Sequence, residues 1–479
     1  MKNQTSALVK SATSEVVYDS VTLNALFNKQ KAYFNSDTTK SYEWRIDQLN
    51  RMEALLTEHY QEFCDAMGRD FKTANLEQVF EIDAAIAGIQ YMRTELAEWM
   101  KPEPLEIPKF LNATGSKGHV YRDPYGVALI IGPYNGPLVL LVHPAVTALS
   151  AGNPVMLKLS TVVPNTSGLF LDLIPQYFEE EAVSVVTGNR EVVTELLKIP
   201  FDFIFFTGSV STGKVIMRAA AENLTPVVLE LGGQNPAIVD ETVNIREAAR
   251  KIVWGATAWG GQWCTSPNYA YVHESIAEEF VKEAKQAVIE MYGTDPKNNI
   301  DYSRIITSKE VTRLAGLIDP AKVAIGGDYD EEARYFAPTL LYPVAWTDKV
   351  MEDEIFGPIL AILPYSDLKN AVAEIKKRPS SLSGYIFSKN QKTIDYLINS
   401  LSFGGGVVNH TNLHLFMETF PFGGIGASGM GNYFGKAGYH SLTHEKAILQ
   451  IPDDMVIDHV FPPFTPEKIK DLQEKWSQY

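Results

Sequence analysis

Five short apolar runs, each followed by turn-forming residues or a lysine and then by a helix-length segment, constrain this chain more than any other feature. They are Val127–Ile131, Pro154–Leu157, Val183–Val186, Phe203–Phe206 and Val227–Leu231. Runs with so little polar alternation suit strands buried on both faces, and crossovers long enough to hold a helix favour a parallel sheet covered by helices on each side. The ligand crevice of such a sheet lies beyond the carboxyl ends of its strands. Here those ends lead into Gly132-Pro133, Lys158, Gly188, Thr207-Gly208 and Gly232-Gly233, the composition of a cofactor crevice.

Upstream, from Ser20 to Met100, apolar residues recur at helical spacing, as in Ile46, Leu49, Met52, Leu55 and Leu56, so a helical lead-in precedes the sheet. Lys101–His119 lacks that periodicity and carries Pro102, Pro104 and Pro108, which marks an extended excursion. From Gln234 to about Phe420 a second alternation predicts a second α/β domain. Its elements are a helix over Ile245–Ala258, a strand over Tyr269–Val272, a helix from Ala277 and strands near Leu360 and Tyr385. A glycine-rich stretch, Phe422–Gly438, precedes a tail rich in Pro, Lys and Glu.

The 479 residues include 58 acidic and 42 basic side chains, a formal charge of -16, and no dense run of Lys or Arg. Such a surface is unsuited to neutralising phosphates, so neither nucleic acid nor an anionic membrane is expected as a partner. The start, Met1 to Val17, is polar with no apolar core, and no stretch approaches the roughly 18 to 20 apolar residues of a membrane span. A cytoplasmic protein is expected. Cys64 and Cys264 are too few and too far apart for a disulfide framework or a metal cluster.

The sharpest local signal is Phe205-Phe206-Thr207-Gly208-Ser209-Val210-Ser211-Thr212-Gly213-Lys214, an apolar strand passing through a glycine turn into a helix. Such a turn presents backbone N–H groups and a positive helix end to a phosphate. Its spacing also fits a nucleotide-triphosphatase loop up to the last position, where Val215 replaces the hydroxyl that would bind magnesium. A strand-to-helix turn without a ligand is the plain alternative. In Trp259-Gly260-Gly261-Gln262-Trp263-Cys264-Thr265-Ser266-Pro267 the cysteine, before a proline-containing loop, is either a nucleophile or a small buried hydrophobe. Cys64, within a helical pattern, reads as core. Glu230 interrupts an apolar strand, where an unpaired charge is costly, so it is expected to be partnered, neutralised or functional. A buried carboxylate with a raised pKa suits a general base.

Together and in this order, these pieces resemble the aldehyde dehydrogenase superfamily from about Ser20 to Leu449. The resemblance rests on Gly132-Pro133-Tyr134-Asn135, Ala151-Gly152-Asn153-Pro154-Val155-Met156-Leu157-Lys158, Phe206-Thr207-Gly208-Ser209, Leu229-Glu230-Leu231-Gly232-Gly233, Gly261-Gln262-Trp263-Cys264 and Glu354-Ile355-Phe356-Gly357-Pro358. Asp301-Tyr302-Ser303-Arg304-Ile305-Ile306 and the close at Pro421–Gly431 look most like the class 3 branch, which includes fatty and aromatic aldehyde dehydrogenases. The resemblance implies an α/β fold with a Rossmann-like parallel-sheet cofactor domain, a second α/β catalytic domain and a small oligomerisation arm. The expected divisions are 1–100 (lead-in and first part of the cofactor domain), 101–120 (arm), 121–233 (cofactor domain), 234–425 (catalytic domain) and 426–479 (arm strand and tail).

It further implies that Cys264 is the nucleophile, Glu230 the base for thioester hydrolysis, and Asn135, with the Cys264 N–H, the donor to the alkoxide. NAD or NADP would contact Lys158, Gly208, Ser209, Gly213, Leu231, Glu354 and Phe356, and a homodimer would form through the arm. Glu230 speaks against the CoA-acylating branch, so the product is expected to be the free acid. Leu159-Ser160-Thr161 puts hydroxyls where many relatives carry a glutamate, so NADP is expected alongside NAD. Tyr134, Gly136 and Trp263 are expected at the substrate pocket, where the absent side chain of Gly136 widens the tunnel and Trp263 walls it, for an apolar substrate. Gly136 alternatively relieves a crowded turn. The pairs His410/His414 and His440/His444 lack a third ligand and read as packing residues, so no metal is expected. A catalytically silent structural or binding relative is the alternative from another class, which the joint presence of Asn135, Glu230 and Cys264 disfavours.

Overall fold

Each of the five apolar runs is a buried strand, displaced by no more than a residue or two from the sequence reading, in a computed structural model that describes residues 18–455 and 460–477. The polar start up to Val17 lies outside the described residues. The helical lead-in is α1 (Ser20–Asn35), α2 (Tyr42–Glu58), α3 (Tyr60–Asp70) and α4 (Asn75–Trp99). β1 (Glu103–Leu105), the single turn α5 (Lys109–Asn112) and β2 (Lys117–Pro124) follow. Then come β3 (Ala128–Ile131), α6 (Val139–Ser150), β4 (Val155–Lys158), α7 (Pro164–Tyr177), β5 (Val183–Val186), α8 (Arg190–Leu196), β6 (Phe203–Gly208), α9 (Val210–Glu222) and β7 (Val227–Leu231).

These strands lie in the lateral order β7-β6-β3-β4-β5, all parallel, and alternate residues face opposite layers. Ala128, Ile130, Phe203 and Phe205 pack with α2, α4, α6 and α7, while Leu129, Ile131, Ile204 and Phe206 pack with α1, α8 and α9. With both faces covered, every residue of β3 and β4 is buried, which is why the runs carry no polar alternation. The chain proceeds outward from β3 to β5 and then returns to β6 on the other side of β3. The strand order therefore reverses between β3 and β6, where a crevice opens at the carboxyl ends.

The second sheet contains β8 (Asn235–Val239), β9 (Pro267–His273), β10 (Val323–Ile325), β13 (Thr339–Leu341), β14 (Ile359–Tyr365), β15 (Ser381–Phe387) and β16 (Phe403–Val408), and a small hairpin pairs β11 (Tyr329–Asp330) with β12 (Tyr335–Phe336). Its order is β10-β13-β14-β9-β8-β15-β16, with β10 alone antiparallel. α10 (Ile245–Thr257) and α11 (Glu274–Tyr292) cover one face. The glycine-rich stretch sends a two-residue strand, β17 (Gly429–Met430), back to pair antiparallel with β7 before β18 (Thr443–Gln450) joins β1 and β2 in a three-stranded antiparallel sheet. Only residues 232–234 separate β7 from β8, so the carboxyl edge of the first sheet meets the amino edge of the second. Among the described residues no helix is long and apolar enough to cross a membrane.

Candidate active site

Past the end of α10 the chain takes three consecutive left-handed residues, Trp259 (φ 56°), Gly260 (φ 61°) and Gly261 (φ 68°). A Cβ on Gly261 would lie 2.2 Å from the Gly357 carbonyl, so only glycine fits. Trp259 is a tryptophan in a conformation costing about 1–3 kcal/mol, and its surroundings hold it there. Its N–H donates to Glu77 Oε1 at 2.7 Å and its ring stacks on Trp263 at 3.9 Å. The Gln262 side chain donates to the carbonyls of Trp259 (3.1 Å) and Arg304 (2.9 Å) and accepts from the Ile306 N–H (2.9 Å). Asn235 Nδ2 donates to the carbonyls of Cys264 (2.8 Å) and Ser266 (2.9 Å), and its Oδ1 accepts from the Ser383 N–H (2.8 Å). Cys264, half-buried, thus sits on a backbone fixed from both sides.

Glu230 lies on β7 between Thr207 of β6 and Gly429 of β17, is 3% exposed, and neither carboxyl oxygen has a hydrogen-bond partner among the described residues. Burial pushes its pKa well above the usual carboxylate range. Burial also pushes the Cys264 thiol up, and the charges of Glu354 and Glu230 add to this, while the N–H groups of Cys264 and Thr265 act in the opposite sense. Tyr433 is raised by burial and then by the charges of Glu230 and Cys264. Glu230, Glu354 and Tyr433 therefore gather around the sulfur, although the three and Cys264 come from four distant stretches of chain.

A cavity opens at Cys264. Its walls are Phe80, Glu81 and Ala84 of α4, Gly136, Val139, Leu140 and His143 around the start of α6, Trp259 and Trp263, and Leu415, Phe416, Phe422, Tyr433 and Phe434. Asn135, 4% exposed, immediately precedes the Gly136 wall. Two expectations change here. The space a side chain on Gly136 would take is already occupied, with Leu140 Cγ 2.7 Å from the Cβ position, so Gly136 accommodates Leu140 in a crowded turn and does not widen the tunnel. Tyr134 is not among the cavity walls; it packs edge-on to Phe71 (6.1 Å) and Phe356 (6.0 Å). Trp263 is a wall residue.

Along the carboxyl edge of the first sheet and its link to the second stand the residues expected to meet a cofactor. Gly208 ends β6, and Ser209 caps α9 by accepting from the Thr212 N–H. Gly213 leaves room for Leu231, whose Cδ2 lies 2.7 Å from the position a Cβ would take. The first N–H groups of α9 have no partner within the helix and suit an anion. Lys158, 7% exposed, ends β4; its Nζ donates to the Leu159 carbonyl at 2.7 Å, and burial lowers its pKa to about 8. Glu354 packs against the linker between the sheets, where a Cβ on Gly232 would fall 2.0 Å from Glu354 Oε2. Burial raises its pKa to about 8, opposed by the Gly233 N–H. Phe356 follows with φ 48°. A buried lysine without a carboxylate partner among the described residues, a capped helix start beside it and a carboxyl group near the sulfur form a donor set that fits a dinucleotide.

His410 packs edge-on to Trp254, and His414 Nε2 hydrogen-bonds Ser383 Oγ at 3.0 Å with its pKa lowered to about 4 by burial. His440 lies beside Glu103, and His444 packs near Tyr125. The sequence reading missed Asn235, Glu77 and Tyr433. A polar residue opening the apolar strand β8 was the available signal for Asn235; the other two sit in ordinary helical and glycine-rich surroundings.

Residues 10–448 match the model of the aldehyde dehydrogenase family. Similar proteins include the 4,4'-diaponeurosporen-aldehyde dehydrogenase of Staphylococcus aureus, 39% identical over 88% of this chain and 92% of the relative. The "aldehyde dehydrogenase, dimeric NADP-preferring" of Canis lupus familiaris is 37% identical over 92% of this chain and 98% of its own. A solved structure, the substrate-bound state of Staphylococcus aureus AldH, superposes with a TM-score of 0.92 at 36% identity, covering 95% of this chain and 99% of that one. With its α/β fold, its cysteine loop and a match of this extent, the chain belongs to the aldehyde dehydrogenase family.

Proposed function

We propose that the protein oxidises an apolar aldehyde, medium-chain or aromatic, to the free carboxylic acid with NAD or NADP. The observation that supports this best is Cys264 in the wall of a largely apolar cavity, within the field of a buried carboxyl group, Glu230, that has no hydrogen-bond partner among the described residues. The aldehyde's chain lies among Phe80, Phe416, Phe422 and Trp263, and its carbonyl reaches the sulfur. Cys264 attacks the carbonyl carbon as its thiolate, the thiol proton passing to solvent, and the C–S bond forms. The alkoxide oxygen of the thiohemiacetal accepts from the Asn135 amide and the Cys264 N–H. NAD(P), when bound, supplies the hydride acceptor.

Glu230 then removes a proton from the water that attacks the thioester; the C–S bond breaks, the acid departs and the sulfur regains its proton. A water-activating carboxylate beside the sulfur supports hydrolysis over transfer to CoA. Lys158 holds the adenosine ribose, the start of α9 with Gly208, Ser209 and Gly213 holds the pyrophosphate beside Leu231, and Glu354 and Phe356 hold the nicotinamide ribose. Ser160 and Thr161 place no negative charge beside Lys158, and a relative named for NADP preference supports acceptance of both cofactors. The arm sheet of β1, β2 and β18 pairs two chains into a homodimer.

The test is NAD(P)H formation with a panel of aldehydes and both cofactors, repeated with Cys264→Ala. Medium-chain and aromatic aldehydes are expected to turn over with either cofactor, and the variant to lose at least about 10³-fold in rate. No aldehyde-dependent reduction, the outcome expected of a silent binding relative, or an undiminished variant, contradicts the reading.

A further inference from the structure

Against the cavity, with Glu81 in its wall, lies a charged cluster that the reaction above does not use. Lys72, in the turn between α3 and α4, is fully buried, and its ammonium pairs with Glu81, itself 2% exposed. The same ammonium lies 4.8 Å from the centroid of the Trp259 ring. Glu77, one turn before Glu81 on α4, is also buried; its Oε1 accepts the Trp259 N–H at 2.7 Å and its Oε2 accepts the Ser303 hydroxyl at 2.6 Å. Glu81 Oε2 accepts the N–H groups of Leu138 (3.0 Å) and Val139 (3.2 Å), where α6 begins.

Burying two carboxyl groups and an ammonium is a poor route to stability, since apolar residues of equal volume commonly serve as well or better. The contacts supply another reason. Glu77 holds the backbone of left-handed Trp259, whose ring stacks on Trp263 beside Cys264. Glu81 holds the start of α6, just after Asn135. Lys72 stands between the two glutamates and lies over the same tryptophan. The cluster therefore joins the loop that bears the sulfur to the segment that bears the side-chain amide.

We propose that Lys72, Glu77 and Glu81 are positioning residues that set Cys264 against Asn135, so that the attacking sulfur and the alkoxide donor address one carbonyl. This rests on the roles given above to Cys264 and Asn135. Displacement of a reacting group by about 1 Å costs up to ~10²-fold in rate, so a cluster that fixes this spacing acts on turnover more than on cofactor binding.

The test compares wild type, Glu77→Ala, Glu77→Gln and Lys72→Met in kcat, in NAD(P) binding, and in the rate of Cys264 alkylation by iodoacetamide, followed on the Cys264 peptide by mass spectrometry. Glu77→Ala is expected to lower kcat by about tenfold or more and to change the alkylation rate by about threefold or more, with cofactor Kd within about twofold. Glu77→Gln, whose amide oxygen can still accept the Trp259 N–H, recovers most of the loss, and Lys72→Met falls in the direction of Glu77→Ala. Should Glu77→Ala fail to fold, Lys72→Met and the rescue by Glu77→Gln carry the comparison. Variants that fold and keep kcat and alkylation rate within about twofold of wild type overturn the proposal. A wild-type enzyme inert toward every aldehyde sinks the functional reading instead, while the alkylation rates still report whether the cluster positions the sulfur.

Discussion

Lys158 ends β4 with the Leu159 carbonyl as its hydrogen-bond partner and a pKa lowered to about 8 by burial. An exposed lysine keeps its charge to about pH 10.4. A depressed pKa means that the free enzyme loses this charge as pH rises through about 8, so an added 2′-phosphate is attracted below that pH and much less above it. NADP binding relative to NAD, measured by fluorescence titration of the free enzyme, is expected to weaken between pH 7 and 9.5 with a midpoint near 8, and Lys158→Met to make the ratio flat. A ratio for the wild type that does not change with pH contradicts the assignment. Single residues were legible where their chemistry was out of place. Glu230 interrupts an apolar strand, and Cys264 follows a Gly-Gly turn and a tryptophan. For Gly136 two readings stood open, a widened tunnel or a crowded turn, because the side chain that decides for the turn, Leu140, lies a helical turn further on.

The strands of the first sheet were legible because helices cover both faces, leaving no polar alternation to disguise them. β17 was not: two residues in a glycine-rich stretch carry no periodicity, and only pairing with β7 makes them a strand. Nothing local marks Glu77 and Glu81 of α4 as buried, since their partners Trp259, Ser303 and Leu138 are remote in sequence. The arm sheet has the order β1-β2-β18, so β18 has a partner on one side among the described residues, and Ile448, Leu449 and Ile451 are exposed at or beside this edge. An open edge with apolar side chains promotes association. Light scattering is therefore expected to give about twice the chain mass of 53.3 kDa, and Ile448→Asp to shift the protein toward the single-chain mass. A wild-type protein at the single-chain mass at micromolar concentration removes the arm from the account.

At the scale of the whole molecule, two α/β sheets are joined through three residues, and the chemistry gathers at that seam. The first sheet contributes Glu230 and the segment after β3; the second contributes Asn235 and the fixed loop of Cys264; the returning stretch adds Tyr433. No local pattern encodes this convergence, which follows from the parallel order of each sheet and the shortness of the link between them. The central claim is that Cys264 carries the acyl group and Glu230 releases it. The direct measurement is mass spectrometry of the Glu230→Gln enzyme quenched after mixing with aldehyde and NAD(P). The account predicts a burst of about one NAD(P)H per chain, an acyl adduct on the Cys264 peptide and steady turnover lower by roughly 10²–10⁴-fold. An unmodified Cys264 in a variant that turns over at the wild-type rate would contradict it.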